Sequence, residues 1–214
     1  MMNSRVKKRA RSDSAKLDRK EILLETSLGL FAEKGFSGTK IENITSASGL
    51  STGTFYLYFA GKSDIYQELY SQGMELLINI FDRVLGESGI SAPDKLVHLA
   101  KSYFKFYHDN HKYFRILYVS HLCAEKTFLT NDKSGLFSCK TGRLLESIRE
   151  IIVSGIESGE LKTGIDPWEA SAAFLASIDG ILFMNEKDSI RMTPVDHKKI
   201  LMQALEIITA GMRN

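Results

Sequence analysis

The chain is poor in the residues that staple, break or ligate a fold. Its 214 residues include only 2 cysteines and 3 prolines. Cys123 and Cys139 have no CxxC spacing, which argues against a disulfide framework or a thiolate metal site and suits a reducing compartment where lone thiols pack. Runs of alternating β-branched residues are few, while apolar residues recur at three- and four-residue spacing, so the expected fold is all-α, of one or two domains. No apolar run follows the basic amino end. The most apolar late stretch, AFLASIDGILFM, is short and carries Asp179. Neither a signal peptide nor a membrane span is expected, and the chain reads as cytoplasmic with no membrane partner. No nucleophile motif or phosphate loop is present, so no enzyme and no cofactor are expected. His108, His111 and His121 with Cys123 suggest a metal, but no pair has the i,i+4 spacing of a helical site, and His121 and Cys123 would point apart on a helix.

Ample apolar and charged content is present: 43% hydrophobic and 25% charged residues are enough to bury a sizeable core. The net charge of +2 conceals an asymmetry. Residues 1–62 hold eleven Lys/Arg against six Asp/Glu, and the remainder seventeen against twenty. Much of the excess is RVKKRAR, Arg5 to Arg11, too polar to bury anything, and residues 1–19 are expected to form a flexible basic arm. Such a run serves either as an arm on nucleic acid or as a solvating tail, in which case the alternative is a helical small-molecule binding protein or enzyme with an incidental basic amino end.

After Lys20 the apolar residues Leu23, Leu24, Leu30 and Phe31 mark one face of a helix that Gly35 ends. Ser37 or Thr39 can then cap a short helix bearing Ile41 and Ile44, closed by Gly49. Ser51 can cap another, running to about Phe59. Two short helices joined through a glycine turn make a helix-turn-helix, whose second helix lays its amino-terminal residues in a major groove. Phe55 and Phe59 are four apart and can face the core, which sends Tyr56 and Tyr58 elsewhere.

Residues 23 to 66 resemble the DNA-binding domain of the TetR family of bacterial transcriptional regulators, through LFAEKGFSGTKIENI and SGLSTGTFYLYFAGKSDIY. The resemblance implies a three-helix DNA-binding domain (residues 20–66) and a larger helical domain (67–214) for ligand binding and dimerisation, about nine helices in all. It implies a ligand-responsive regulator, most often a repressor, partnered by an operator duplex, a second copy of itself and a small apolar or aromatic effector. It assigns Thr39, Lys40, Tyr56 and Lys62 to phosphates, and puts Ser51, Thr52, Gly53 and Thr54 at the amino end of the recognition helix, with Tyr58 further along. Helix amino termini do favour phosphate. Without Arg, Asn or Gln on this helix, no bidentate reading of G or A is available, and tyrosines, DNA shape and the basic arm are left to add specificity. Thr26, Ser27, Thr45 and Ser48 stand where the family commonly has alanine, so their hydroxyls must bond back to carbonyls or reach water.

Further on, periodicity predicts helices from Lys62 to about Leu85, from Pro93 to Asn110, around Tyr113 to Tyr118, around Leu144 to Ile152, from Pro167 (capped by Asp166) to Met184, and from Asp196 to Met212. In the family the last two helices form a four-helix bundle with those of another subunit. Phe174, Ile181, Leu201, Ala204, Leu205 and Ile208 fit that use and equally an intramolecular core. Leu77, Phe81, Tyr103, Phe106, Tyr107, Tyr113, Phe114, Tyr118, Phe128, Phe174 and Ile178 can line an apolar cavity or simply fill the core.

Overall fold

The structure, a computed structural model, describes residues 2–119, 136–186 and 196–214. Among these residues it contains nine α-helices and no strand: α1 Met2–Lys34, α2 Ile41–Ser48, α3 Thr52–Tyr56, α4 Lys62–Leu85, α5 Ala92–Asp109, α6 His111–Phe114, α7 Leu136–Glu157, α8 Pro167–Glu186 and α9 His197–Met212. A π-helical turn, Arg115–Val119, follows α6. Phe128, His121 and Cys123 lie outside the described residues, as does the Cys139 side chain. No described helix is long and apolar enough to cross a membrane.

Helix α1 starts far earlier than the apolar pattern after Lys20 suggests. Residues 2–20 contain no glycine or proline and many Lys, Arg and Ala residues, all good helix formers, so the basic segment continues the helix backbone instead of standing apart from it. Its other end is as expected, with Gly35 in the left-handed region at φ 72°.

The chain divides into two compact units. One runs through Gly73 and takes in the segment beginning at Lys112; the other comprises Met74–His111 together with α7, α8 and α9. The first unit is built on Leu23, Phe31, Ile44, Phe55, Phe59, Ile65, Tyr66 and Leu69, all buried. Phe31, Phe36 and Tyr66 form a ring cluster with centroids 5.1 to 5.9 Å apart. The α6 segment returns to this core. Tyr66 donates its hydroxyl to the Ile116 carbonyl at 3.1 Å, and Tyr113 donates to Gln72 Oε1 at 2.9 Å. Burial raises the Tyr113 phenol above its ordinary pKa. A Cβ on Gly73 would sit 2.9 Å from the Tyr113 ring, so glycine permits this approach.

In the second unit, Ser91 caps α5 by accepting the Asp94 N–H, and Pro93 occupies the first turn. Asp166 accepts the Glu169 N–H at 2.9 Å, so α8 begins where its acidic cap predicts, and Asp196 caps α9 by accepting the Lys198 and Lys199 N–H groups at 3.0 and 3.3 Å. The interior is apolar: Leu77, Phe81, Leu96, Leu99, Phe106, Ile148, Ile152, Phe174 and Ile178 are each at most 1% exposed. Gly155 lets α7 press against α5, since a Cβ there would meet the Ala92 Cβ at 2.6 Å.

Candidate nucleic-acid interface

The candidate interface is built from α2, the turn after it, and α3. Lys40 is the amino cap of α2, not Ser37 or Thr39. Its backbone N–H donates to Asn43 Oδ1 at 2.9 Å, and its side chain is exposed. Ile44 points into the core, and Gly49, at φ 68°, turns the chain. The Leu50 N–H then closes the turn on the Thr45 carbonyl at 3.1 Å. Ser51 caps α3 as expected: its Oγ accepts the Thr54 N–H at 3.1 Å and lies 2.9 Å from Thr54 Oγ1. Those two hydroxyls satisfy one another, whereas Thr52 and Gly53 are exposed at the tip of the helix.

Helix α3 is shorter than expected, ending at Tyr56, but Phe55 and Phe59 are both in the core, at 0% and 2% exposure. Tyr56 faces outward at 55% exposure and Tyr58 is half-buried. Between them Leu57 is 79% exposed, the most exposed large apolar side chain described. Sequence reasoning passed over it. The signal was present, since Leu57 falls off the Phe55/Phe59 stripe and beside two tyrosines.

Two residues assigned to phosphates are engaged within the fold of the chain. Thr39 is fully buried, and its hydroxyl donates to the carbonyls of Gly35 at 2.8 Å and Leu30 at 3.3 Å. It is spent on the fold because the chain turns back on α1 there. Lys62 Nζ donates to the Phe36 and Thr39 carbonyls at 2.7 and 2.8 Å and stands 4.0 Å from the Phe36 ring centroid. Of the four hydroxyls on alanine-like positions, Thr45 and Ser48 bond back to carbonyls at 3.3 and 3.1 Å. Ser27 is buried, and its hydroxyl has no hydrogen-bond partner among the described residues.

The sequence profile of "Bacterial regulatory proteins, tetR family" matches residues 23–69. That span covers the end of α1, all of α2 and α3, and the start of α4. Residues 23–69 are thus a TetR-family DNA-binding domain. With that domain the chain is a DNA-binding transcriptional regulator. It is 26% identical over 200 residues to the Fatty acid metabolism regulator protein of Bacillus subtilis, covering 90% of this chain and 94% of that protein. It is 24% identical over 155 residues to the transcriptional repressor KstR2 of Rhodococcus jostii, covering 72% of each. Two solved structures share the fold. The fatty acid degradation regulator FadR of Bacillus halodurans superposes with a TM-score of 0.75 at 19% identity, covering 92% of this chain and 97% of that one. FadR of Bacillus subtilis in complex with stearoyl-CoA gives 0.71 at 22% identity, covering 90% and 99%.

Beyond the TetR-family helix-turn-helix, the candidate effector residues separate between the units. Phe114 and Tyr118 belong to the first, stacked at 4.8 Å. Leu77, Phe81, Tyr103, Phe106, Tyr107, Phe174 and Ile178 belong to the second and are all buried. Two of these rings carry polar partners: Tyr103 donates to Asp179 Oδ1 and Tyr107 to Glu186 Oε1, each at 2.7 Å. His111 Nε2 lies 2.6 Å from the same Glu186 oxygen. The sequence pairs neither acid with a ring, because each partner is more than seventy residues away along the chain.

The dimer assignment is corrected in part. Phe174, Ile181, Leu201 and Leu205 are buried within the single chain, so they face its own core. Ala204 and Ile208 are only half-buried. What α8 and α9 leave exposed is a second face of mostly small residues, Ala172, Ala173, Ala176 and Gly180 on α8, with Ile207 on α9 at 65% exposure. Both helices have apolar residues on two sides, and the bulkier sets fill the core.

Proposed function

We propose that the protein is a repressor that binds a two-fold symmetric operator as a homodimer and is released by a long-chain fatty acyl-CoA. The observation that carries the DNA half is the division of α3, whose two phenylalanines anchor it in the core while Thr52, Gly53, Tyr56 and Leu57 are left on the surface. In this reading residues 20–66 are the DNA-binding module and residues 67–214 hold the effector and the dimer contact. Thr52 and Leu57 meet base edges; an exposed leucine suits the methyl group of thymine, where a bidentate donor is lacking. Lys40 and Tyr56 meet phosphates, which position the helix and carry little sequence information.

The effector half is supported by likeness to a fatty acid metabolism regulator over 90% of the chain and by a fold shared with a regulator bound to stearoyl-CoA. The apolar interior of the second unit, which includes Leu77, Phe81, Phe106 and Ile178, suits an acyl chain. The exposed small-residue face of α8 and α9 supports a dimer, since small residues let helices approach closely. Dimerisation would set two copies of α3 about 34 Å apart, one turn of DNA. An effector favouring a different spacing then shifts the population away from DNA.

A release assay tests this. The full chain is bound to a fluorescent duplex that it has itself enriched from a random pool, then titrated with stearoyl-CoA, free coenzyme A or stearate. Release by the thioester at concentrations where coenzyme A alone does nothing is the expected result. Retention of DNA under all three would overturn the acyl-CoA assignment.

A further inference from the structure

We propose that Lys62 is a positioning residue of the DNA-binding surface, clamping the segment between α1 and α2 and so setting where α2 begins. The proposal rests on the DNA-binding reading above and changes the part Lys62 plays in it.

The clamp is made of one peptide group held at both ends. Lys62 Nζ reaches back 23 residues to the Thr39 carbonyl at 2.8 Å and 26 residues to the Phe36 carbonyl at 2.7 Å. The Thr39 carbonyl and the Lys40 N–H belong to the same planar peptide bond. That N–H is itself held by Asn43 Oδ1 at 2.9 Å. An ammonium on one side and a carboxamide on the other therefore fix the orientation of the plane from which α2 starts. The Lys40 carbonyl, next along, accepts the first-turn N–H groups of Asn43 at 3.0 Å and Ile44 at 3.3 Å. Any rotation of the 39–40 peptide would be passed directly into that turn.

The surroundings hold Lys62 to this task. The Phe36 ring lies 4.0 Å from Nζ, a cation–π distance, and is itself packed on Tyr66 at 5.2 Å and Phe31 at 5.9 Å. Thr39 is pinned from its other side by its hydroxyl bond to Gly35. Charge-assisted bonds to carbonyls are stronger than neutral ones, and an ammonium drawn toward phosphate would have to give up two of them. The exposed Lys40 side chain leaves from the α-carbon just after the clamped peptide, so the clamp sets where the neighbouring cation points.

Amine acetylation of the wild-type full chain, read by mass spectrometry with and without its enriched duplex, tests the clamp. Because the bonds to the two carbonyls must open first, Lys62 should react about tenfold or more slowly than Lys40 in the free protein. DNA should then protect Lys40 and leave the Lys62 rate unchanged. Lys62→Met should speed amide exchange at Lys40 and Asn43 and weaken binding to the enriched duplex, with the salt dependence unaltered. The proposal is overturned if Lys62 labels as fast as Lys40 when free and is protected only by DNA. It is equally overturned if Lys62→Met lowers the salt slope by about one per subunit with exchange unchanged. Should Lys62→Met fail to fold, the wild-type labelling alone decides. A wild type without sequence preference would sink the operator reading, while labelling of the free protein would still judge the clamp.

Discussion

Phe55 and Tyr56 are consecutive residues whose ring planes meet at 87° with centroids 5.5 Å apart, yet Phe55 is completely buried and Tyr56 is 55% exposed. One peptide step thus separates the core of the helix-turn-helix from its contact surface. Stability and DNA affinity should be separable by mutation there.

Phe59→Ala should remove about 3 to 5 kcal/mol of stability, because a fully packed ring leaves a cavity. Tyr56→Phe keeps the ring and should leave the thermal midpoint unchanged. It should weaken binding by about 1 kcal/mol, on enriched and random duplexes alike, if the hydroxyl bonds a phosphate. Melts followed by circular dichroism, beside titrations on both duplexes, check this. Unfolding by Tyr56→Phe with Phe59→Ala intact would mean that α3 is rotated about its axis.

Thr39→Val should cost about 1 to 2 kcal/mol of stability, since the Gly35 and Leu30 carbonyls lose the buried hydroxyl that bonds them. The salt slope of DNA binding should not move. A lower slope with an unchanged melting temperature would restore Thr39 to the phosphate backbone.

Ser27→Ala is expected to stabilise. Its hydroxyl is buried without a hydrogen-bond partner among the described residues, and alanine both removes that group and favours the helix. A gain of about 1 to 2 kcal/mol in denaturant unfolding is expected. A loss would show that the hydroxyl bonds something, such as a trapped water.

Ala176→Glu together with Ile207→Glu should give folded monomers by sedimentation, because both positions are exposed on the single chain. Leu205→Ala should instead lower stability by about 2 to 5 kcal/mol, as a core residue does. A double variant that still sediments as a dimer would place the interface elsewhere.

What was legible in the sequence was local. The caps Ser51 and Asp166, the left-handed Gly35 and Gly49, and the Phe55/Phe59 stripe all depend on residues within one helical turn. What was not legible depended on distant chain. Thr39 is consumed by a carbonyl nine residues back and Lys62 by carbonyls 23 and 26 residues back. Likewise α8 and α9 have two apolar faces each, and nothing local says which goes inward. The basic amino end has no apolar stripe and so reads as a separate arm, whereas α1 runs through it, in a stretch free of glycine and proline and rich in Lys and Arg.

The central claim is that α3 reads a specific duplex. Enrichment of a random-sequence duplex pool by the full-length protein, followed by sequencing, tests it most directly. The account predicts a two-fold symmetric motif with half-sites about one helical turn apart, containing thymines whose replacement weakens the wild type more than Leu57→Ala. A pool that stays random after repeated rounds, with binding that responds to salt alone, would contradict it.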